Sequence, residues 1–325
     1  MLNNTATDSV KALRTTLTGT APIMKAVRFH GRGDIRVDEI EEPTCGKGQV
    51  KMRPAFVGIC GSDLHEYLGG PVLVPQEPHK ITGATHPVTL GHEFGGIIEE
   101  VGEGVTHVSP GQRAVVRPTI FDKECTSCKL GYEYCCENIG FIGLSGYGGG
   151  LAKYIVAPAD HFYPLPDTIS LEAAALIEPL AVAWHAVNIS PFKPGDSVLV
   201  LGGGPVGIGI VQVLKMQGAQ NILAALDEAI GACRTHGTIV NIAVWEKRPA
   251  LRVNDLMYSE LKYTGSALYD ESAFVGVIQA LNHGQLAPEK MVTAKIGLDD
   301  VVVKGFEELV NHRDAHCKIL VDVQA

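Results

Sequence analysis

A short apolar segment followed by a glycine-rich turn places the strongest constraint on the fold of this chain. Residues 197–201, SVLVL, have the continuous apolar character of a buried parallel strand, and GGGPVG follows directly. Gly202, Gly204 and Gly207 give the spacing G-x-G-x-x-G, and a helical pattern continues to about Met216. A strand, a glycine turn and a helix in this order predict a β-α-β unit whose helix N-terminus binds the phosphates of a dinucleotide.

The same turn predicts how each part of a dinucleotide would be bound. The first glycine permits the tight turn, the second lets the backbone approach a pyrophosphate, and the third allows the helix to pack closely on the strand. Pro205 and Val206 complete the loop and open the helix. An acidic side chain about 20 residues further on is expected to bind the adenosine ribose. Leu226 occupies that place, so Asp227 is the candidate, with an ordinary acid in the first turn of a helix as the alternative.

Length, charge and cysteine usage limit the classes of protein to which the chain can belong. Its 325 residues are enough for two domains with separate cores. The net charge of −9 argues against nucleic acid or an anionic membrane as partner. No apolar run approaches the ~20 residues that a membrane span needs. Eight cysteines without a secretory signal indicate a reducing compartment, so we expect a cytoplasmic protein whose cysteines bind metal.

The pattern of residue types divides the chain into four segments. Residues 1–23 are expected to be a disordered leader, with a mitochondrial transit peptide as a minor alternative. Residues 24–180 carry short β-branched stretches separated by glycine and proline, which predicts a compact, mostly antiparallel β domain. Near its end, helical periodicity after Ser170 predicts a helix that this residue caps. Residues 181–290 have the α/β pattern, and residues 291–325 are expected to return to the first domain.

Three separated motifs each contribute a residue type that zinc favours. Cys60 lies in GICGSDLH, His92 in LGHEFGG and Glu178 in IEPLA. A catalytic zinc takes three protein ligands and leaves a fourth position for water or substrate. Because the motifs are far apart, only the fold can bring them together. From spacing alone, a buried core cysteine and a surface histidine are the alternatives.

The residues of these motifs resemble those of a known family. GICGSDLH and GHEFGG are similar to the catalytic-zinc half of the medium-chain, zinc-dependent alcohol and polyol dehydrogenases. EPLAV and GFIGLSGYGGGLAKYIV resemble the branch that contains (R,R)-butanediol and sorbitol dehydrogenases. The resemblance extends from Met24 to the end of the chain, apart from one gap. It implies an α/β plus β protein, with a GroES-like β catalytic domain and a Rossmann-type parallel-sheet domain.

The resemblance also assigns roles to individual residues. It makes Cys60 and His92 zinc ligands, Glu178 the third ligand or its water-linked substitute, and Glu93 a group that reaches the metal on rearrangement. Zinc lowers the pKa of a bound alcohol, whose proton must then leave the site. In the family, a hydroxyl and an imidazole matching Ser62 and His65 form this relay. The alternatives are a turn serine and a surface histidine.

A second cysteine cluster suggests a structural metal site. The family uses four cysteines spaced C-x2-C-x2-C-x7-C, and here Cys125, Cys128 and Cys136 keep the last three places. Asp122 occupies the first place, and Cys135 is a spare thiol. Three thiolates and a carboxylate can bind zinc. The alternative is a loop in which three reduced cysteines merely pack.

The cofactor domain is shorter than the resemblance leads one to expect. After Gly202 the sequence offers further strands only near 221–225, 238–243 and 262–267, whereas a doubly wound domain has six in all. At ~30 residues for each β-α-β unit, the shortfall is on the order of 50–60 residues. The second strand is joined directly to a segment that resembles a late helix of the family. This shortening affects the adenine side of the cofactor site.

These inferences lead to one principal functional hypothesis. The chain is expected to be an oxidoreductase that transfers hydride between a small secondary alcohol or vicinal diol, similar to 2,3-butanediol, and NAD, with zinc activating the alcohol; NADP is not excluded. The alternative is a shortened, impaired family member that binds zinc but holds cofactor poorly. A zinc-independent quinone or enone reductase is disfavoured by the three ligand residues. A homo-oligomer acting on small molecules is expected.

Overall fold

The computed structural model describes residues 22–225, 229–245 and 250–325. The expected leader therefore lies outside the described residues, except for its last two positions. Asp227, the candidate ribose-binding acid, also lies outside them.

Residues 22–166 form a β-rich unit in which apolar and polar residues alternate along the strands. In the long strand at its centre, residues 49–58, buried and partly buried positions alternate through most of its length, as the pleat of a half-buried strand requires. The helices of this unit are α1 (Gly61–Gly69) and α2 (Thr126–Lys129). Its strands are β1 (Ile23–Gly31), β2 (Asp34–Glu41), β3 (Gln49–Gly58), β4 (Val88–Thr89), β5 (Glu93–Val101), β6 (Arg113–Val116), β7 (Thr119–Ile120), β8 (Gly140–Phe141), β9 (Ile155–Pro158) and β10 (Phe162–Pro164).

The rest of the described chain alternates helices and short strands. A π-helix, Val301–Glu307, leads into the last helix. The helices are α3 (Leu171–Ala174), α4 (Ile177–Ile189), α5 (Pro205–Met216), α6 (Ala229–Ala232), α7 (Val253–Tyr258), α8 (Glu271–Asn282) and α9 (Glu308–Asn311). The strands are β11 (Ser197–Leu201), β12 (Asn221–Ala225), β13 (Thr238–Asn241), β14 (Lys262–Gly265), β15 (Val292–Gly297) and β16 (Lys318–Asp322).

A seven-stranded sheet connects the β-rich unit with the end of the described chain. Its order is β10-β6-β5-β3-β16-β15, and β9 also pairs with β3. β16 runs antiparallel to β3 and parallel to β15. The sheet packs on a core that includes Phe29, Val57 and Phe94, all fully buried. Because β16 lies in the interior of this sheet, residues near 320 support the same core as residues near 57.

The segment after Ser170 forms two helices with a break between them. Ser170 caps the first, as its Oγ accepts the N–H of Ala173 at 3.0 Å. The helix ends at Ala174, and α4 begins at Ile177. Pro179 explains the break, because it has no N–H to donate to the carbonyl group four residues earlier. The sequence correctly predicted the cap and the helical character but not this interruption.

The cofactor region contains two separate pairs of parallel strands. β11 pairs with β12, and β13 pairs with β14. Within the described residues, no strand joins these pairs into one sheet. The observed strands lie where the sequence predicted them, although β13 and β14 are each two residues shorter at their C-terminal ends.

Candidate active site

The pairing of β3 with β5 brings Cys60 and His92 to the same corner of the sheet. Gly58, the last residue of β3, lies opposite Glu93, the first residue of β5. Cys60 follows β3 by two residues and His92 directly precedes β5. The register of β3 with β5 therefore brings together Cys60 and His92, which are too far apart in sequence for a local loop to join.

Asp63 fixes the segment that carries the thiol. Cys60 is the N-cap residue of α1, and its backbone N–H donates to Asp63 Oδ2 at 2.9 Å. The other carboxylate oxygen, Oδ1, lies 3.5 Å from His92 Nδ1. Asp63 thus holds both the start of the helix and the orientation of the imidazole ring.

The two ring nitrogens of His92 face different surroundings. Nδ1 faces Asp63, whereas Nε2 lies 3.0 Å from Ser62 Oγ on the side of Cys60. Burial acts to lower the pKa of His92, but the charges of Asp63 and Cys60 outweigh burial and hold this pKa well above its ordinary value. A metal-ligating histidine typically directs its second nitrogen to a carboxylate in this way.

Glu93 is held by a buried ion pair. Its two carboxylate oxygens lie 2.9 and 2.7 Å from Lys318 Nζ, which also donates to the carbonyl oxygen of Ile59 at 3.1 Å. Glu93 is fully buried and Lys318 is 2% exposed. Gly58 provides the space, because a Cβ atom there would collide with Glu93 Oε2.

Three of the predicted site residues form one cluster of donor atoms. One ligand atom each of Cys60, His92 and Glu93 lie within 4.8 Å of one another. Among the described residues, Glu178 is not part of this group. It lies in the first turn of α4, 6% exposed, where its carboxylate interacts with the charges of His92, Glu93 and Lys318. Burial raises the pKa of Glu178 to about 7.

This donor set fits a zinc ion. A thiolate, an imidazole and a carboxylate are the ligand types that zinc selects in proteins. His92 Nδ1 and Asp63 Oδ1 are both buried without a partner in hydrogen-bond geometry among the described residues. A cation bound at Nε2 would strengthen the donation from Nδ1–H to Asp63, which satisfies both atoms.

The second cysteine cluster lies in a lobe formed by residues 122–136, and this lobe brings its four donors together. Cys125 Sγ and Cys136 Sγ are 3.9 Å apart, and one ligand atom from each of Asp122, Cys125, Cys128 and Cys136 lie within 4.8 Å of one another. Cys135 is exposed and is not part of this group. Burial, together with the neighbouring thiols of Cys125 and Cys136, raises the pKa of Cys128 to about 12. A bound cation would stabilise the thiolate forms of these closely spaced sulfur atoms.

Asp122 is preorganised inside the lobe. Its Oδ1 accepts the backbone N–H of Glu124 at 2.8 Å and that of Cys125 at 2.9 Å. Its Oδ2 accepts from Asn138 Nδ2 at 2.6 Å. The two backbone donors, followed by Asn138, hold the pKa of Asp122 well below its usual range. The residue is therefore an oriented carboxylate anion, and the four side chains fit a closed tetrahedral zinc site.

The glycine turn has the geometry of a phosphate-binding loop. Gly202 has φ +105°, a conformation that side chains rarely adopt. A Cβ atom on Gly207 would collide with the carbonyl oxygen of Gly202, so helix and strand could not pack as they do. Gly204 is the N-cap of α5, with Pro205 and Val206 in its first turn. A Cβ atom at Gly202 or Gly204 would meet nothing within 4 Å, which leaves the space in front of the loop open.

The structure places Ser62, one of the two predicted proton-relay residues, beside the donor cluster. Ser62 Oγ lies beside His92 Nε2, next to the donor cluster. His65 lies three residues further along α1 and is half-buried.

Sequence reasoning missed Lys318, Tyr269 and the space that Gly58 provides. A lysine inside the apolar run CKILV was a usable signal, because lysine is rarely buried without a partner. Tyr269 is fully buried, and its hydroxyl lies near the Glu178 carboxylate without full hydrogen-bond geometry. Nothing in the sequence distinguishes this tyrosine from the eight others.

An antiparallel β domain with a thiol–imidazole–carboxylate cluster at its edge, followed by a glycine turn on parallel strands, is the architecture of zinc- and nucleotide-dependent dehydrogenases. Residues 46–167 match the family described as alcohol dehydrogenase GroES-like domain. The chain belongs to the zinc-dependent medium-chain dehydrogenase/reductase family, and its members are alcohol and polyol dehydrogenases. The expected fold class and enzyme class are thereby confirmed.

Similar proteins support this assignment over most of the chain. The (R,R)-butanediol dehydrogenase of Bacillus subtilis is 36% identical over 349 residues, covering 92% of this chain and 99% of the relative. The crystal structure of 2R,3R-butanediol dehydrogenase from Bacillus subtilis superposes with a TM-score of 0.85 over 93% of this chain and 100% of that chain, at 35% identity. The alternative of an impaired protein is not favoured by these similarities.

Two further solved structures carry a nicotinamide cofactor. A short chain alcohol dehydrogenase from E. coli CFT073, complexed with NADH, has a TM-score of 0.82 at 25% identity and covers 93% of this chain and 99% of its own. A proposed zinc-binding dehydrogenase from Sinorhizobium meliloti 1021, bound to NADP, has a TM-score of 0.79 at 25% identity and covers 93% and 100%.

The alignment with the Bacillus relative also measures the shortening. Because 92% of 325 residues is about 299, roughly 50 of the 349 aligned positions face a gap in this chain. This agrees with the predicted shortfall and with the two unjoined strand pairs.

As to membranes, none of the helices in the described part of the chain combines the length and apolar character that a bilayer crossing requires.

Proposed function

We propose that this chain interconverts a vicinal diol of the 2,3-butanediol type, or a similar small secondary alcohol, and its ketone, with NAD as hydride acceptor. The observation that carries the proposal is the convergence of Cys60, His92 and Glu93 at one corner of the β domain. The butanediol dehydrogenase relative, which the chain matches over nearly its whole length, supports the substrate class.

The side chains would divide the work as follows. Cys60 and His92 would hold zinc directly, and Glu178 would complete the site as a ligand or through a water molecule. When bound, zinc supplies Lewis-acid chemistry that lowers the pKa of the alcohol. Ser62 would accept the hydroxyl proton while donating its own to His65, which would release a proton to solvent, and Asp63 would keep the His92 ring in its ligating orientation. Glu93 stays with Lys318 in the ground state and is close enough to approach the metal.

The glycine turn would bind the cofactor. Gly202, Gly204 and Gly207, with Pro205 and Val206, present the open N-terminus of α5 to a pyrophosphate. We infer NAD rather than NADP, since the candidate at the adenosine ribose is an acid, Asp227, which suits a free hydroxyl. The cofactor complexes of the two solved relatives support a nicotinamide cofactor in general.

Turnover with matched ligand variants tests this function. Purified, zinc-loaded protein is expected to reduce NAD in the presence of (R,R)-2,3-butanediol, whereas Cys60→Ser and His92→Ala lose both this activity and one zinc measured by mass spectrometry. Cys45→Ser, which changes a cysteine outside both clusters, serves as the control and keeps both. Active protein without zinc, or zinc-loaded protein that binds no nicotinamide cofactor, would contradict the proposal.

We further infer a second, structural zinc in the lobe, with Asp122 as the fourth ligand beside Cys125, Cys128 and Cys136. Asp122→Ala is expected to lose this zinc and lower the melting temperature, whereas Asp122→Cys retains it against stronger chelation because thiolates bind zinc more tightly. Equal zinc retention by all three proteins would show that Asp122 is not a ligand.

The cellular setting is also part of the proposal. We infer a reducing compartment such as the cytoplasm, because none of the eight cysteines forms a disulfide. We infer a homo-oligomer, to be measured by light scattering at several protein concentrations.

A further inference from the structure

Tyr269 is a fully buried tyrosine beside the candidate metal centre. Its side chain is 0% exposed, and its hydroxyl has no partner in hydrogen-bond geometry within the described chain. The charged groups that act on the hydroxyl are those of Glu178, Arg117 and Glu93, with Glu178 the strongest. A buried hydroxyl without a partner is unfavourable, so we expect this hydroxyl to meet a partner in another state of the site.

The backbone and the aromatic packing fix the direction of this side chain. Leu268, directly before it, has φ +48°, a strained conformation for a leucine. The Tyr269 ring stacks on Phe274 with a centroid distance of 5.7 Å and an interplanar angle of 19°. Strain of this kind is found where a fold holds a functional group in place. The hydroxyl is thereby held toward α4, in which Glu178 lies.

Glu178 needs such a group in order to act on a metal. Its carboxylate is buried and lies outside the 4.8 Å cluster of Cys60, His92 and Glu93. A carboxylate that ligates a metal is normally hydrogen-bonded by an outer partner that orients it. Asp63 is placed as such a partner beside Cys60, whose backbone N–H it accepts, and its other oxygen lies 3.5 Å from His92 Nδ1. Tyr269 is the uncharged donor placed to do the same for Glu178.

We propose that Tyr269 is a positioning residue whose hydroxyl donates a hydrogen bond to one oxygen of Glu178 and turns the other oxygen toward the metal held by Cys60 and His92. The inference deepens the proposed function and rests on it. Tyr269 touches neither substrate nor cofactor in this proposal and acts only through Glu178.

A second tyrosine provides a matched control. Tyr163 packs against the same Phe274, at a centroid distance of 5.2 Å, and its hydroxyl donates to Glu271 at 2.6 Å, in a contact separate from the donor cluster. Tyr163→Phe and Tyr269→Phe therefore each remove one hydroxyl from one aromatic cluster. Only the second is expected to affect the metal.

The test compares metal binding by the two variants in the otherwise intact protein. Tyr269→Phe is expected to weaken zinc binding at the Cys60 site roughly 10- to 100-fold in chelator competition, and to shift the visible absorption of the cobalt-substituted protein. Tyr163→Phe should leave both unchanged. In the Glu178→Gln background, Tyr269→Phe should add little further loss, because the two residues act as a unit. Tyr269→His, which keeps a ring donor, is expected to recover part of the affinity.

Several results would overturn the inference. Unchanged zinc affinity and cobalt spectrum in Tyr269→Phe would do so, as would equal losses in Tyr163→Phe, or full additivity with Glu178→Gln. If Tyr269→Phe does not fold, Tyr269→Leu, which also removes the hydroxyl, takes its place, and unchanged zinc affinity and cobalt spectrum in that variant have the same meaning. Failure of the proposed function is distinct, because the wild-type protein itself would then hold no metal at Cys60 and His92.

Discussion

Lys318 and Glu93 form a fully buried ion pair. Both are almost fully removed from water, and the ammonium group contacts both carboxylate oxygens. Burial acts to lower the pKa of Lys318, but Glu93 and Cys60 outweigh burial and raise it. Two buried charges that satisfy each other contribute little net stability, yet either one alone is strongly unfavourable.

We therefore predict that Lys318→Met lowers the free energy of unfolding by about 3–5 kcal/mol, since it leaves the Glu93 charge buried and unpaired. The double variant Lys318→Met/Glu93→Met should regain most of this loss. Urea denaturation of the metal-free proteins measures both. A single variant that loses under about 1 kcal/mol, within the range of a surface ion pair, would contradict the prediction.

We expect His161 to make the stability of the protein depend on pH. Burial lowers its pKa below the ordinary value of 6.5, while its Nδ1–H donates to the Arg117 carbonyl at 2.8 Å. The unfolded chain therefore binds more protons than the folded protein as pH falls below about 6.5, and stability falls with it. This loss is bounded by about 1.4 kcal/mol per pH unit for one group.

His161→Gln is accordingly expected to flatten the decline in unfolding free energy between pH 7 and pH 5. Denaturant titrations at several pH values measure the slope. The same slope in the wild-type protein and the variant would show that this histidine does not contribute.

At the level of elements, the glycine turn depends on one close approach. Gly207→Ala would place a methyl group against the Gly202 carbonyl, where only a backbone shift can relieve the contact. We predict weaker binding of NADH, by at least about tenfold, and a lower melting temperature. Gly31→Ala is the control, because it lies in β1, outside the glycine turn, and a Cβ atom there meets nothing within 4 Å. Equal NADH titrations, by fluorescence, for the two variants would contradict this role.

How much the sequence could predict differs from one element to another. β11 and α5 were predicted with their observed bounds, because a buried parallel strand, a glycine turn and a helix each have a distinct local pattern. The break between α3 and α4 was missed, since overall periodicity concealed the missing N–H of Pro179.

For the site, too, residues in local motifs were predicted, whereas contacts between distant residues were not. The resemblance of the motifs around Cys60 and His92 to a known family, and not their spacing, predicted that these residues lie together, and the pairing of β3 with β5 provides the physical reason. The roles of Lys318 and Tyr269 were not predicted. Lys318 lies more than 200 residues from Glu93, and Tyr269 lies near 90 residues from Glu178, and such distant pairs leave no periodic pattern in the sequence.

For the whole molecule, the two halves differ in how well their strands are buried. In β3, Val50, Met52 and Val57 are fully buried, whereas every residue of β14 is exposed. Local opening requires least free energy where few buried contacts must be broken. The shortened cofactor region is therefore expected to open far more often than the catalytic sheet.

Hydrogen exchange should show this difference directly. We predict that the amides of β13 and β14 exchange at least about 100-fold faster than those of β3 and β5, which corresponds to about 3 kcal/mol of local stability. Saturating NADH is expected to slow exchange near α5. Equal protection in both halves of the metal-free protein would contradict this expectation.

The interior position of β16 has a consequence for the order in which the protein is made. A ribosome synthesises Glu93 225 residues before its counter-ion, Lys318. Until then, the nascent chain carries a carboxylate at a place that the finished sheet seals from water, and β3 lacks one of its neighbours. The catalytic corner can therefore mature only late in translation, after the cofactor-binding segment has already left the ribosome.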